Sequence, residues 1–410
     1  MKSFLLILLL WSAVGAQAQA GATAPPQESP KVHRVASPSM DAGDYIYISG
    51  QGPRAADGAL PATFAAQARQ ALNNLKSVVE KAGLTMDHVV YTTVYLTDIS
   101  QYAELNRVFG ESFGKIPPAR AVLGVAALPD PPIEINAVAV RNLSDRRAVY
   151  PPNYKSDGPF SPGILTYDRL FVSAMPVSAM PGNAAAGDPA AQVDFALDRL
   201  KAVVEAAGLK LSHMVFVNPY LTAQIPMRVM NKNYAQRFEF GNTPARATIE
   251  VTSLPNGAQI EYTGVAVRDL KERRAIRPKN MPPSPTASPC VFAGDTLYCS
   301  AKSGFIPGPN EGVYSSTTAL QLRQTMRNQM DNLEEADMDF SQVVSTTVYL
   351  DNLADTPAFD EVYGKYFPGK LPAQTTIQQI APAERSPDKD EHYPDLEQVS
   401  LIAVRNVPRH

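Results

Sequence analysis

The sequence predicts an α+β fold written three times in tandem. Two observations carry this. The first is a long segment that recurs: PPARAVLGVAALPDPPIEINAVAVRN from Pro117 to Asn142, TPARATIEVTSLPNGAQIEYTGVAVRD from Thr243 to Asp269, and LPAQTTIQQIAP, an insertion, then LEQVSLIAVRN from Leu371 to Asn406. Its period is that of a small domain, not of a short solenoid repeat. The second is the order of hydrophobic periods in each copy, which reads ββαβαββ and implies one sheet with both helices on one face. The other face then needs cover, and the sister copies can supply it. A chain of 410 residues has room for three such units.

Each element has a local reason. A hairpin opens every copy, with Tyr45–Ser49, Leu170–Ser173 and Leu297–Ser300 as its second strand. Its turns fall at Gly43-Asp44, Tyr167-Asp168 and Gly294-Asp295. Glycine at the first central position suits a type II′ turn, because only glycine takes positive φ there without strain. A helix follows: Ala68, Leu72, Leu75, Val79 and Ala82 recur at helical spacing, and Gly83 sits at the C-cap. Gly208 takes that place in the second copy and Asp337 in the third, a poorer but permitted left-handed residue. β-Branched strands start at His88, His213 and Gln342; second helices cover 102–113, 227–238 and 358–367. Two strands close each copy, and the short turn at Leu128 to Pro132 makes them read as a hairpin. The Pro-rich stretches at 150–160 and 277–289 read as linkers. The expected domains are 31–145, 146–272 and 273–410.

Composition narrows the function. Hydrophobic content of 45% and charged content of 19% are ordinary for a globular protein. A net charge of -3 gives no basic field, so an extended nucleic-acid surface is not expected. The histidines (His33, His88, His213, His392, His410) are scattered, and no metal-ligand spacing occurs. Residues 1–20 read as a signal peptide: Lys2 is the basic end, Phe4 to Val14 the apolar stretch, and Ala16-Gln17-Ala18 and Ala18-Gln19-Ala20 are cleavage sites. The apolar run is shorter than the ~20 residues of a spanning helix. A periplasmic or secreted location follows, with no membrane contact after cleavage. Cys290 and Cys299 lie opposite one another across the Gly294-Asp295 turn, at a non-hydrogen-bonded pair, so a disulfide is expected.

The chemistry is suggested by what the third copy changes. Arg120 and Arg246 become Gln374; Glu134 and Glu261 become Gln398. A guanidinium can hold a carboxylate through two hydrogen bonds, and a glutamate can move a proton to or from water or nitrogen. Tyr102 and Asn106 read as solvated helix positions.

With AAQARQALNNLKSVVEKAGL, TTVYLTD and PARAVLGVAALP…IEINAVAV in this order, each copy resembles the Rid family, the YjgF-like reactive-intermediate deaminases also called the L-PSP endoribonuclease family. The resemblance implies three fused chorismate-mutase-like (Rid-type) domains forming an intramolecular pseudo-trimer, a chain that is itself a monomer. It implies cofactor-free hydrolysis of enamine or imine acids to 2-oxo acids and ammonia in clefts between domains, with a small carboxylate as substrate. It points to Arg120, Glu134, Arg246 and Glu261 as catalytic residues. Ser49, Gly50, Phe160 and Ser173 would line the substrate, Phe160 standing where the family has a tyrosine. Ser173-Ala174 and Ser300-Ala301 depart from the family's Ser-Gly, which Ser49-Gly50 keeps. A non-catalytic carboxylate-binding protein using the same clefts is the alternative. A ribonuclease is disfavoured, since no histidine pair or basic groove occurs. If each cleft draws Arg and Glu from one copy, two sites are complete. If it draws them from neighbours, one is complete and two are hybrids; the closing hairpin argues for the second arrangement.

Overall fold

The computed structural model of the chain describes residues 36–155, 158–175, 187–279, 281–307, 312–367 and 369–406. The expected signal peptide, with Trp11 and His33, lies outside them, as does His410. The first copy runs β1 (Ser39–Asp41), β2 (Tyr45–Gln51), α1 (Phe64–Lys81), β3 (Val89–Leu96), α2 (Tyr102–Ser112), β4 (Ala119–Gly124) and β5 (Ile133–Val140). The second adds a leading strand: β6 (Arg147–Val149), β7 (Gly163–Leu165), β8 (Arg169–Val172), α3 (Pro189–Ala206), β9 (Met214–Leu221), α4 (Met227–Ala235), β10 (Ala245–Arg246), β11 (Ile249–Glu250) and β12 (Ile260–Val267). The third does the same: β13 (Arg273–Ile276), β14 (Cys290–Ala293), β15 (Thr296–Ser303), α5 (Thr318–Glu335), β16 (Val343–Leu350), α6 (Thr356–Tyr363), β17 (Ala373–Gln378) and β18 (Glu397–Val404).

The opening hairpins follow their turn chemistry. Gly43 and Gly294 take φ of +79° and +58°, while the aspartates after them do not have positive φ, as a type II′ turn requires. The first long helix of each copy is capped by a side chain accepting from its first turn: Thr63, Asp188 and Thr317. Gly83, Gly208 and Asp337 end those helices with positive φ.

The two closing strands do not pair with each other, contrary to the hairpin reading. The first sheet has the order β1-β2-β5-β3-β4. β3–α2–β4 is a parallel crossover, so β4 lies beside β3, and β5 enters on the other side of β3, antiparallel to it. The other copies repeat this with β9 and β16 between the closing strands. Arg120 pairs with Thr92 and Glu134 with Tyr95 on β3. Three residues along and two strands across place their Cα atoms about 14 Å apart within one copy. In the second copy Arg246 pairs with Val217 and Glu261 with Tyr220, the same separation.

Each sheet packs its helices on one face over its own apolar core. The opposite faces of all three meet in a shared cluster that includes Tyr47, Tyr95, Phe171, Tyr220, Tyr298 and Tyr349. This is the cover the one-sided sheets needed. Arg169 is 3% exposed at this meeting point. It donates to Tyr298 Oη at 2.9 Å, pairs with Asp168 at 2.6 Å and lies 4.2 Å over the Tyr45 ring, tying all three copies. Cys290 and Cys299 face each other in the β14–β15 ladder and form the expected disulfide, with Cα atoms 4.0 Å apart.

Candidate functional site

The joints between copies are built from one repeated device. Ser37-Pro38, Ser161-Pro162 and Ser288-Pro289 stand twelve residues before Ser49, Ser173 and Ser300. Ser49, Ser173 and Ser300 each donate from the hydroxyl to the carbonyl of that earlier serine, at 2.5, 2.6 and 2.7 Å. Each hydroxyl also accepts the backbone N–H of a residue in the preceding copy, in every case at 2.8 Å: Arg120 for Ser173, Arg246 for Ser300, Gln374 for Ser49. The contacts run first to second, second to third and third to first, so they close a ring. The hydroxyls of Ser49 and Ser173 are thus engaged as structural clips; one acceptor lone pair on each is left over. The Ser-Pro repeat was visible in the sequence, but its role appears only when the copies are set side by side.

At the first joint Arg120 leaves the edge strand β4 and is 2% exposed. Its Nη2 donates to Asn106 Oδ1 at 2.7 Å. Phe109, Phe160 and Tyr102 surround the guanidinium at 4.6, 5.2 and 5.8 Å from its carbon. Two of these rings come from α2; Phe160 comes from the second copy, on the Pro-rich segment read as a linker. Gly158 of that segment approaches so closely that a Cβ would stand 3.3 Å from Arg120 Nη2. Burial pushes the Arg120 pKa down, and Tyr102, Tyr154 and Glu261 pull it back up. Glu261 belongs to the second copy. The reading of Asn106 and Tyr102 as solvated positions is therefore corrected. The missed signal was the one already used for arginine: Asn106 and Asn231 agree, and the third copy has Asp360 at the matched position.

The second joint repeats the guanidinium but not the carboxylate. Arg246 donates from Nη1 to Asn231 Oδ1 at 2.7 Å and lies 5.3 Å over the Tyr234 ring. Burial lowers its pKa, and only Tyr234 and Tyr262 oppose this. The facing third copy offers Gln398, whose Nε2 donates to Asp395 Oδ2 at 3.0 Å.

The third joint has the reverse defect. Gln374 stands in place of arginine, beside Ser49. Glu134 of the first copy is 1% exposed and leans on Gly50, where a Cβ would come within 1.7 Å of Oε1. Gly50 therefore fixes how Glu134 can lie. Ala174 carries a Cβ at the matched position, so Glu261 must lie differently. Arg120 and Glu134 are on different joints, as are Arg246 and Glu261, the arrangement the sequence reading favoured.

A cavity of about 110 Å³ lies among the three sheets, lined by residues that include Tyr95, Tyr220 and Tyr349 but neither Arg120 nor Glu261. Burial pushes the Tyr349 pKa up to about 12 and raises those of Tyr95 and Tyr220, so these phenols are neutral donors.

The family model described as Endoribonuclease L-PSP matches the chain three times, at 27–141, 152–268 and 280–383. A RutC family protein of Haemophilus influenzae is 44% identical over 109 residues, which are 25% of this chain and 84% of that protein. The 2-iminobutanoate/2-iminopropanoate deaminase of Escherichia coli K12 is 44% identical over 107 residues, 25% of this chain and 84% of the enzyme. The crystal structure of RidA from the Antarctic bacterium Psychrobacter sp. PAMC 21119 shares 37% identity over 27% of this chain and 93% of its own, with a TM-score of 0.26. The three family-model matches together span most of the sequence, and the chain belongs to the Endoribonuclease L-PSP family as a tandem of three copies.

Proposed function

We propose that the chain hydrolyses small 2-imino or 2-enamino acids to 2-oxo acids and ammonia in a single cleft, that between the first and second copies. The observation that carries this is the joint itself: Ser173 and Ala174 hydrogen-bond the backbone of Arg120 and follow β8, which pairs with β12, the strand that carries Glu261. Arg120 is held by Asn106 and flanked by rings from both copies, so its fork is oriented before a substrate arrives. It clamps the substrate carboxylate. Glu261 takes a proton as water adds to the C=N carbon, then returns one to nitrogen as the carbinolamine collapses to the oxo acid and ammonia. The likeness to a 2-iminobutanoate/2-iminopropanoate deaminase supports this substrate class. The other two clefts, Arg246 with Gln398 and Gln374 with Glu134, each lack one half of the machinery.

Two observations favour the alternative, a carboxylate-binding protein without turnover. Ala174 replaces the glycine against which Glu134 rests in the first copy, and Phe160 lacks a hydroxyl. The two readings separate on one assay. Imines are generated from an amino acid by an oxidase, with and without the protein, and oxo acid and ammonia are followed. Acceleration supports the enzyme; saturable carboxylate binding with no acceleration supports the binding protein.

We also propose export from the cytoplasm. The signal-like residues 1–20 and a disulfide that uses both cysteines of the chain support it.

A further inference from the structure

The sheet faces that meet at the centre of the molecule carry matched layers, one residue from each copy. One layer is kept three times, as Tyr95, Tyr220 and Tyr349. Another is not. Tyr91 and Phe216 hold the same place on β3 and β9, and there β16 has Ser345. All three line the central cavity of about 110 Å³. The third copy thus contributes a hydroxyl on one carbon where its sisters contribute a ring, and the space is not refilled. A water needs only about 10–15 Å³ of such space, so the cavity has room for a larger guest.

The lining is polar but without charge. Among the described residues that line the cavity, none is Asp, Glu, Lys, Arg or His. Thr93, Asn218 and Thr347 form one layer and Asn136, Thr263 and Ser400 another. These groups bond to one another across strands and copies. Tyr220 Oη and Thr263 Oγ1 are 3.1 Å apart, and Asn218 Nδ2 donates to Thr263 Oγ1 at 3.3 Å. Asn136 Nδ2 donates to Thr375 Oγ1 of the third copy at 2.9 Å. A hydroxyl has one donor and two lone pairs, and an amide two donors and two lone pairs. The layers therefore hold more hydrogen-bonding capacity than these contacts use. Tyr47, Phe171 and Tyr298 add an aromatic wall. Asn136, Asn218, Ser345 and Thr347 keep part of their surface accessible, so a guest can lie against them.

This lining selects by chemistry. An ion would enter without a counter-charge, which is costly in a desolvated site. A wholly apolar molecule would leave the hydroxyls and amides unmet. Water meets the polar layers but not the rings. A polyol meets both, with hydroxyls for the polar layers and C–H faces for the rings. We propose that the chain binds a small uncharged polyol in this central cavity, in the space that Ser345 leaves open. The third copy, which lost the charged residues of the cleft, is then the one that makes room for a neutral ligand. The proposal does not rest on imine hydrolysis.

The test is saturation-transfer NMR of the full chain titrated with erythritol, with sodium propionate and propylammonium chloride as charged competitors. Saturable binding of erythritol is expected, displaced by neither ion. Ser345→Phe restores the ring of the second copy and should abolish the saturable signal. Thr347→Val keeps the shape but removes one hydroxyl, and should weaken binding about three- to tenfold. It also keeps the test usable if thermal unfolding shows that Ser345→Phe does not fold. No saturable erythritol binding by wild type, the result for a cavity that holds water only, overturns the proposal. So does binding that both variants leave unchanged, or displacement by either ion.

Discussion

Replacing Ser173, Ser49 or Ser300 by alanine tests the joints with an internal control. Each hydroxyl satisfies two buried backbone groups at once: a carbonyl twelve residues earlier, and the N–H of Arg120, Gln374 or Arg246 in the preceding copy. Alanine leaves both without that partner. An orphaned buried group costs about 1–3 kcal/mol, so each variant should lose roughly 2–6 kcal/mol, with the three losses alike. Activity should not be alike. Only Ser173 meets the strand that carries Arg120, so only Ser173→Ala should slow imine hydrolysis, by about tenfold or more if the arginine shifts by a fraction of an ångström. Denaturant unfolding gives the stabilities and the oxidase-coupled assay gives the rates. Equal loss of activity in all three variants, or no loss of stability in any, would refute the reasoning.

Three further outcomes follow from named side chains. Glu397 is buried, accepts from Thr325 Oγ1, and burial holds its pKa well above the usual carboxylate range. Its folded pKa exceeds the unfolded value of ~4.3, so stability is greatest below that value and falls as pH rises toward the folded pKa. Glu397→Gln should therefore stabilise the protein at pH 7 by about 1–3 kcal/mol and by less at pH 4, read from unfolding midpoints at the two pH values. Arg169→Met should cost about 1–3 kcal/mol, because Asp168 loses its ion pair and the Tyr298 hydroxyl a donor at the meeting of the copies; an unchanged denaturation midpoint would contradict this. Trp11 is the one tryptophan of the chain, so protein recovered after export should show tyrosine emission alone; a tryptophan band would show that residues 1–20 are retained.

Much of the fold was legible because each copy writes its periods clearly. The glycine turn at Gly294-Asp295 sets the hairpin register, and that register alone pairs Cys290 with Cys299. The closing strands were misread for a physical reason. A short loop such as Leu128 to Pro132 ordinarily joins neighbouring strands, but β4 was already committed to β3 by the crossover through α2. That left β5 to pair on the far side of β3. The reading drawn from the wrong hairpin, that clefts draw on neighbouring copies, is the arrangement proposed above, on different grounds. A joint between two copies leaves little trace in the periodicity of either. Asn106 sits on a helix face that reads as solvated, and only the joint buries it against Arg120. Phe160 reads as part of a linker because its partner, the guanidinium, is some forty residues earlier.

The central claim is that one functional pair is assembled from two copies, Arg120 from the first and Glu261 from the second. The direct measurement is imine hydrolysis by Arg120→Ala, Arg246→Ala, Glu134→Gln and Glu261→Gln, each checked for folding. Loss of a charged clamp contact is worth about 1.5–3 kcal/mol, and loss of a general acid or base about 10²–10⁴ in rate. The account predicts that Arg120→Ala and Glu261→Gln each lose at least about tenfold in kcat/KM, while Arg246→Ala and Glu134→Gln stay within a few-fold of wild type. Paired losses within a copy, Arg120 with Glu134 or Arg246 with Glu261, would contradict it.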